Sequence, residues 1–531
     1  MNFTHVLETP PISDWLNLAM LFVGIFILII ISEVVRKKLD WSQEATRKIV
    51  HISVGLLLLL TPMLLETSLP LVVISVFFTI FNFVALKKNL LRGIHIDRHN
   101  LGTVYYAFSF LILVLLFWTD YKIIIIAAMM VMAVGDAAAA IVGHNIRTPH
   151  AYHLIRDLKS REGSATMFLV SAVAIFMTFL LYPPNLATSN HHIFYLLLFS
   201  LMTATVATAA EALGDRGNDN LSVPLLTALV LFFLLSGTKL QQFQFLFGMM
   251  LGGMVAWSSY KVRFLTANGS MATFLLASVI FGFGGWKWTI PIMTFFLLSS
   301  LLSKIGKISY DEIFEKGSRR DYLQVWANGG VAGLLMIWEI LSPHRYIYLA
   351  YLGAMSAAMA DTWATEIGMR LGRKPRLIST FRPVPPGTSG GVTLGGLSGA
   401  FLGAMILALS GSGFLTEYQT LEKLLIILLL TLAGMTASLV DSLLGATVQV
   451  QYRCGVCHKI TEKHLHCKTN QTVPISGLKW MSNDMVNFIN TLTGAALIIW
   501  LIQLFITINP WQGPYKFAVF YICSIRTSVH I

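Results

Sequence analysis

The sequence predicts an all-α fold, a polytopic transmembrane helical bundle of about 16 helices in two halves. Of its 531 residues, 55% are hydrophobic and only 12% charged, and the mean hydropathy is +0.69. A water-facing surface cannot be built from that mixture. Apolar runs such as WLNLAMLFVGIFILIII (15–31), IIIIAAMMVMAV (123–134) and LLIILLLTLAGM (424–435) recur along the chain. Each, with its flanks, is long enough to cross a hydrocarbon core about 30 Å thick. Lys and Arg, finally, concentrate in every second loop.

The basic loops are 36–48, 87–99, 145–163, 259–263, 304–320, 370–382 and 453–479, whereas 62–70, 183–192, 284–289, 343–345 and 410–423 carry one basic residue or none. The positive-inside rule therefore puts the first set in the cytoplasm and the amino terminus outside, in a cell inner or plasma membrane. The net charge of +12 is spread over these loops and reads as a topology signal, not as a nucleic-acid surface. Glu8 and Asp14 stand where a basic leader would, so the first run is expected to be a retained helix. Cys523 is isolated, and Cys454, Cys457 and Cys467 share a cytoplasmic loop where disulfides are not expected.

Polar motifs fall in two regions, Arg47 to Pro224 and Asn268 to Asn487, separated by the apolar stretch 225–256. The expected boundary lies near 237–240, giving domains 1–237 and 238–531. Asp136 precedes Ser164 by 28 residues and Asp361 precedes Ser389 by 28; duplication and convergent loop geometry both account for this echo.

In the first half, ATRKIVHISVG places Arg47, Lys48 and His51 at the start of a span, as phosphate contacts or as interfacial anchors. GDAAAAIVG puts Asp136 at the end of a membrane helix, where a carboxylate needs a cavity, a partner or a metal. HLIRDLKSREGSATM then brings Lys159, Ser160, Arg161, Glu162, Gly163 and Ser164 to a helix amino terminus. Cations beside backbone amides make a phosphate site there, and Glu162 offers a ligand to a divalent ion; a capped basic loop is the plainer reading. AEALGDRGNDNLSVPL adds Glu211, Asp215, Asp219 and Asn220. Oxygen ligands gathered beside a basic loop suit Mg²⁺ and a nucleotide.

These motifs, RK-x2-H, GDAAAAIVG, KSREGS and DNLSVPL, resemble those of the phytol kinase and dolichol kinase family, itself related to CDP-diacylglycerol synthases. The resemblance spans about 40–235 and implies phosphorylation of an isoprenoid alcohol with CTP or ATP as donor. The absence of a Walker A loop agrees with it. Ala137, where dolichol kinases tend to carry a hydroxyl residue, favours the phytol-type branch.

In the second half, RRDYLQVWANGG holds Arg319, Arg320, Asp321, Gln324 and Asn328, the last three sharing one helical face. Capping explains part of this pattern. ADTWATEIGMRLGRKPRLIST carries Asp361 and Glu366, then Arg370, Arg373, Lys374 and Arg376, with Arg382 following. PVPPGTSGGVTLGG supplies a donor-rich turn of Gly387, Thr388, Ser389, Gly390 and Gly391. LVDSLLGATVQ and NDMVNF contribute Asp441, Asn483, Asp484 and Asn487. With NGSMATF these segments look like the family of membrane proteins that includes phytyl-phosphate kinase, over about 245–510. The resemblance implies transfer of a second phosphate to give a prenyl diphosphate, with Asp361, Asp441 and Asp484 as metal ligands and Asp361, Glu366 and Asp441 as catalytic acids.

Between Asp441 and Asp484 lies CGVCHKITEKHLHC, with Cys454, Cys457, His464, His466 and Cys467. This is zinc-ligand chemistry with tight spacing, and free thiols are the alternative. The expected activity is a prenol kinase acting on a membrane lipid with Mg²⁺ and a nucleotide, and without nucleic acid. Asp136, Glu211 and Asp219 are the expected first-half catalytic acids. A secondary transporter would carry its carboxylates at the midplane instead, and a cytidylyltransferase of the CDP-diacylglycerol type would leave cytidine in the lipid product.

Overall fold

The computed structural model describes residues 8–40, 43–88, 100–184, 192–305, 319–371, 374–458, 460–462, 465–467 and 470–508. The protein is all-α and polytopic: ten described helices are long and apolar enough to cross a membrane. It forms two compact units, Met1–Leu246 and Phe247–Ile531.

The first unit begins with α1 (Ile12–Leu39), α2 (Gln43–Leu58), the single turn α3 (Thr61–Leu64), α4 (Leu69–Lys87) and α5 (Gly102–Phe117). Next comes one continuous element made of α6 (Lys122–Met130), a π-helical turn Val131–Asp136 and α7 (Ala137–Asn145). A hairpin of β1 (Ala151–His153) and β2 (Leu158–Ser160) leads into α8 (Arg161–Leu181), α9 (His192–Ala212) and α10 (Asp219–Ser236). The interior is built on α6 and the π turn, where Ile124 to Met129 and Val131 to Ala133 are buried. Leu169, Val173 and Leu180 of α8 point outward, as a lipid-facing surface requires. The apolar span expected to end at Asp136 instead continues to Asn145. The small residues after Asp136 pack closely enough to keep the backbone helical.

After α11 (Lys239–Lys261), the second unit holds α12 (Ala267–Ile305), α13 (Tyr322–Leu341), α14 (Ile347–Leu371), α15 (Leu394–Ser412), α16 (Thr420–Thr447) and α17 (Asn483–Ile508). Gly285, at φ 60° and ψ −157°, breaks α12 where a loop was expected at 284–289. Helix α14 is central and packs on α12, α13, α15, α16 and α17, with Ile347 to Ala360 buried without interruption. Asp361 does not end this helix either, because the polar face that follows it borders a cavity inside the unit. Strands β3 (Arg376–Leu377) and β4 (Gly391–Val392) pair antiparallel. Strands β5 (Gln451–Cys454), β6 (Ile460–Thr461), β7 (Leu465–His466) and β8 (Asn470–Ser476) form an antiparallel sheet in the order β6-β5-β8-β7.

Candidate active sites

In the first unit a carboxylate oxygen from each of Asp136, Glu211 and Asp219 lies within 4.8 Å of the others. Three elements deliver them: the π turn, the end of α9 and the first turn of α10. A π turn adds a residue to the helical circuit and is common where a side chain must be re-aimed. Here its last residue is Asp136, which accepts a hydrogen bond from Lys48 on α2. The approach of α2 needs Gly55, since a Cβ there would stand 2.3 Å from Ala133 Cβ. Lys159 Nζ sits 2.5 Å from Glu211 Oε1 and 3.7 Å from Asp219 Oδ2. Burial works against the Lys159 ammonium, but Glu211 and Asp219 outweigh it and raise its pKa above the ordinary lysine value.

Ser160 caps α8, its Oγ accepting from Gly163 N at 3.1 Å, and Ser164 bonds Tyr152 at 2.7 Å. Glu162 lies apart from the acid cluster, with an Oε 2.6 Å from His150 Nδ1 on an exposed surface. Arg47 belongs to α2, and its side chain lies outside the described residues. One turn along α2 from Lys48, His51 packs on Tyr106 with ring centroids 4.6 Å apart. Both rings line an apolar cleft of about 120 Å³ whose walls include Leu21, Val54, Phe78 and Phe110.

The second unit contains a polar cavity of about 290 Å³. Asp361 on α14 and Asp441 on α16 stand next to each other at its wall. Around them stand Glu366, Arg320, Gln324, Asn328, Asn483 and Asn487. Glu366 is held by Ser303 Oγ at 2.6 Å and by Arg370 at 3.2 Å. Asp321 makes a capping box with Gln324, so capping and cavity lining both use this stripe. The turn from Gly387 to Gly391 forms one edge of the cavity; Gly390 has φ +77°, and a Cβ there would meet Ala446 Cβ at 2.5 Å.

Of the expected cations among the described residues, only Arg320 lines the cavity. Burial lowers its pKa to about 10, against the field of Glu366. Arg319 is exposed, Arg376 donates to Phe381 O at 3.0 Å, and Arg382 is exposed; Arg373 lies outside the described residues. Asp484 is not among the residues lining the cavity.

Glu462 and Gln449 are among the lining residues that escaped the sequence reading. Glu462 Oε1 accepts from Ser389 Oγ at 2.6 Å and from Gln449 Nε2 at 2.8 Å. Its place in the cysteine-bearing loop hid it, since nothing in that segment's pattern points toward a cavity.

That loop also gathers Cys454, Cys457, His466 and Cys467, with one ligand atom of each within 4.8 Å of the others. His464 lies outside the described residues, as does Cys523. The Cys454 thiol is pulled down to about 6 by the backbone N–H groups of Cys457 and Val456.

Residues 250–495 match the model of the family described as Integral membrane protein DUF92. The chain is similar to Protein PGR of Arabidopsis thaliana, 34% identical over 275 residues, which is 47% of this chain and 93% of that protein. It is similar to a phytol kinase of Synechocystis sp., 30% identical over 225 residues, 41% of this chain and 91% of that protein. It also resembles Protein VTE6, chloroplastic, of Arabidopsis thaliana at 27% over 264 residues, covering 48% of this chain and 70% of that protein. No solved structure matches it.

Proposed function

This chain belongs to the integral membrane protein family DUF92, and we propose that it is a membrane kinase that phosphorylates a long-chain isoprenoid alcohol, phytol-like, and then its monophosphate. The observation that carries this reading is the first-unit cluster, three carboxylates and two lysines placed one helical turn from an apolar cleft. Similarity to a phytol kinase supports the substrate class.

Hard carboxylate oxygens fit Mg²⁺, and Asp136, Glu211 and Asp219 would hold it. Bound there, the ion would neutralise charge on the donor phosphates of CTP or another nucleotide. Lys159 and Lys48 keep the acids compensated and bring positive charge to where a transferred phosphoryl group must sit. The cleft beside His51 offers the prenyl chain a dry wall, which holds its hydroxyl near the acids.

In the second unit, the Asp361 and Asp441 pair and the Gly387–Gly391 turn serve the second transfer. Asp361 and Asp441 stand side by side on the wall of a polar cavity, an arrangement that two carboxylates tolerate when a cation is shared between them. On this reading residues 1–237 form a first kinase and residues 238–531 a second.

Purified protein given labelled CTP or ATP, Mg²⁺ and a panel of prenols is the direct assay, with lipid products identified by mass. Wild type is expected to yield mono- and diphosphate, Asp136→Asn neither, and Asp361→Asn or Asp441→Asn monophosphate alone. Cytidine in the lipid would mean a cytidylyltransferase, and wild-type rates in Asp136→Asn would remove the first-unit site from the chemistry.

A further inference from the structure

We infer that Cys454, Cys457, His466 and Cys467 bind one zinc ion, and that this ion holds in place the segment that carries Glu462 into the second-unit cavity. The ligand set is three thiols and one imidazole, all soft or borderline donors of the kind that close a four-coordinate structural zinc site. Their separations fit. Cys457 Sγ and Cys467 Sγ lie 3.4 and 3.3 Å from His466 Nδ1, where a tetrahedral ion with ordinary zinc bond lengths sets sulfur and nitrogen about 3.6 Å apart. The small sheet brings these ligands together, with β8 pairing on one side with β5 and on the other with β7. Cys454 ends β5, Cys457 follows in the turn, His466 ends β7 and Cys467 follows it in the next turn.

What the site would stabilise is visible in the chain order. Cys457 and His466 bracket Glu462, so a metal joining them fixes both ends of that stretch. Glu462 reaches out of the small sheet to accept from Ser389 in the Gly387–Gly391 turn and from Gln449 just beyond α16. Small two-residue strands such as β6 and β7 have little packing of their own, and a metal commonly supplies what such a segment lacks. Glu462 is thus a positioning residue for the turn, and the zinc is what positions Glu462.

The test uses the full chain purified in detergent without chelator. Elemental analysis is expected to find about one zinc per chain, and Cys457→Ser or His466→Ala to lower that content at least severalfold. Hydrogen exchange at residues 388–391 is expected to speed up when zinc is stripped, and to slow again when zinc is returned. Glu462→Gln is expected to keep the zinc yet show the faster exchange, which separates loss of metal from loss of the contact. Zinc-free protein with all thiols promptly alkylated, or iron in place of zinc, would overturn the site. Exchange at 388–391 indifferent to metal removal would overturn its link to the cavity. None of these readouts depends on kinase activity.

Discussion

Lys48 donates to Asp136 and Lys159 to Glu211, so two lysines stand against the three acids of the first-unit cluster. Lys159 and Glu211 are both nearly withdrawn from solvent, with side chains 12% and 9% exposed. Removing one member of such a pair leaves a charge without water or counterion, which typically costs about 3–5 kcal/mol. Lys159→Met is therefore expected to lower the melting temperature in detergent clearly. Adding Glu211→Gln to it should recover part of the loss, because the second change removes the stranded charge. A single Lys159→Met variant that melts with the wild type would show that the pair does not hold the cluster together. The acids themselves were legible in the sequence, because a carboxylate inside an apolar span stands out against its surroundings. The sequence offers Lys48 as a phosphate contact or an interfacial anchor, and its bond to Asp136 exists only because α2 lies against the π turn.

At the scale of elements, the first site depends on how closely α2 can lie against the π turn. A methyl group at Gly55 would overlap Ala133 Cβ, which is anchored to backbone and cannot swing aside. Gly55→Ala is expected to destabilise the protein by about 1–3 kcal/mol, as overpacking does, and to reduce first-transfer activity by moving Lys48 away from Asp136. Gly413→Ala is the matched control, with no atom within 4 Å of the added methyl, and it should melt near wild type. Thermal melts of the two variants side by side make the comparison. The helices were readable from runs of apolar residues, but their ends were not. Asp136 and Asp361 look like stops in the sequence, yet both helices run on past them. A polar residue terminates a span only when it faces lipid or headgroups, and these two face the interior of their own units.

For the molecule as a whole, the distribution of Lys and Arg across loops sets the expected orientation. Single cysteines introduced into 183–192, in a background lacking the native thiols, should react with an impermeant reagent from outside. Those introduced into 370–382 should react only from the cytoplasm. The opposite pattern would put the second-unit turn on the side where nucleotide is scarce, and would count against the kinase proposal more heavily than any point variant.

The sequence by itself determined that the protein lives in a bilayer, that it is helical, and which acids are too costly to be accidental. Each of these follows from local chemistry: apolar length against bilayer thickness, and the penalty of a charge in hydrocarbon. The tertiary structure decided which of those acids meet. Asp136, Glu211 and Asp219 converge while Glu162 turns away to His150. Cys454, Cys457 and Cys467 acquire His466 as a fourth neighbour, and Glu462 leaves that loop for the cavity of Asp361 and Asp441. Convergence across 83 residues, from Asp136 to Asp219, is set by helix packing and crossing geometry. Those depend on pairs of side chains far apart in the chain, and no local pattern records them.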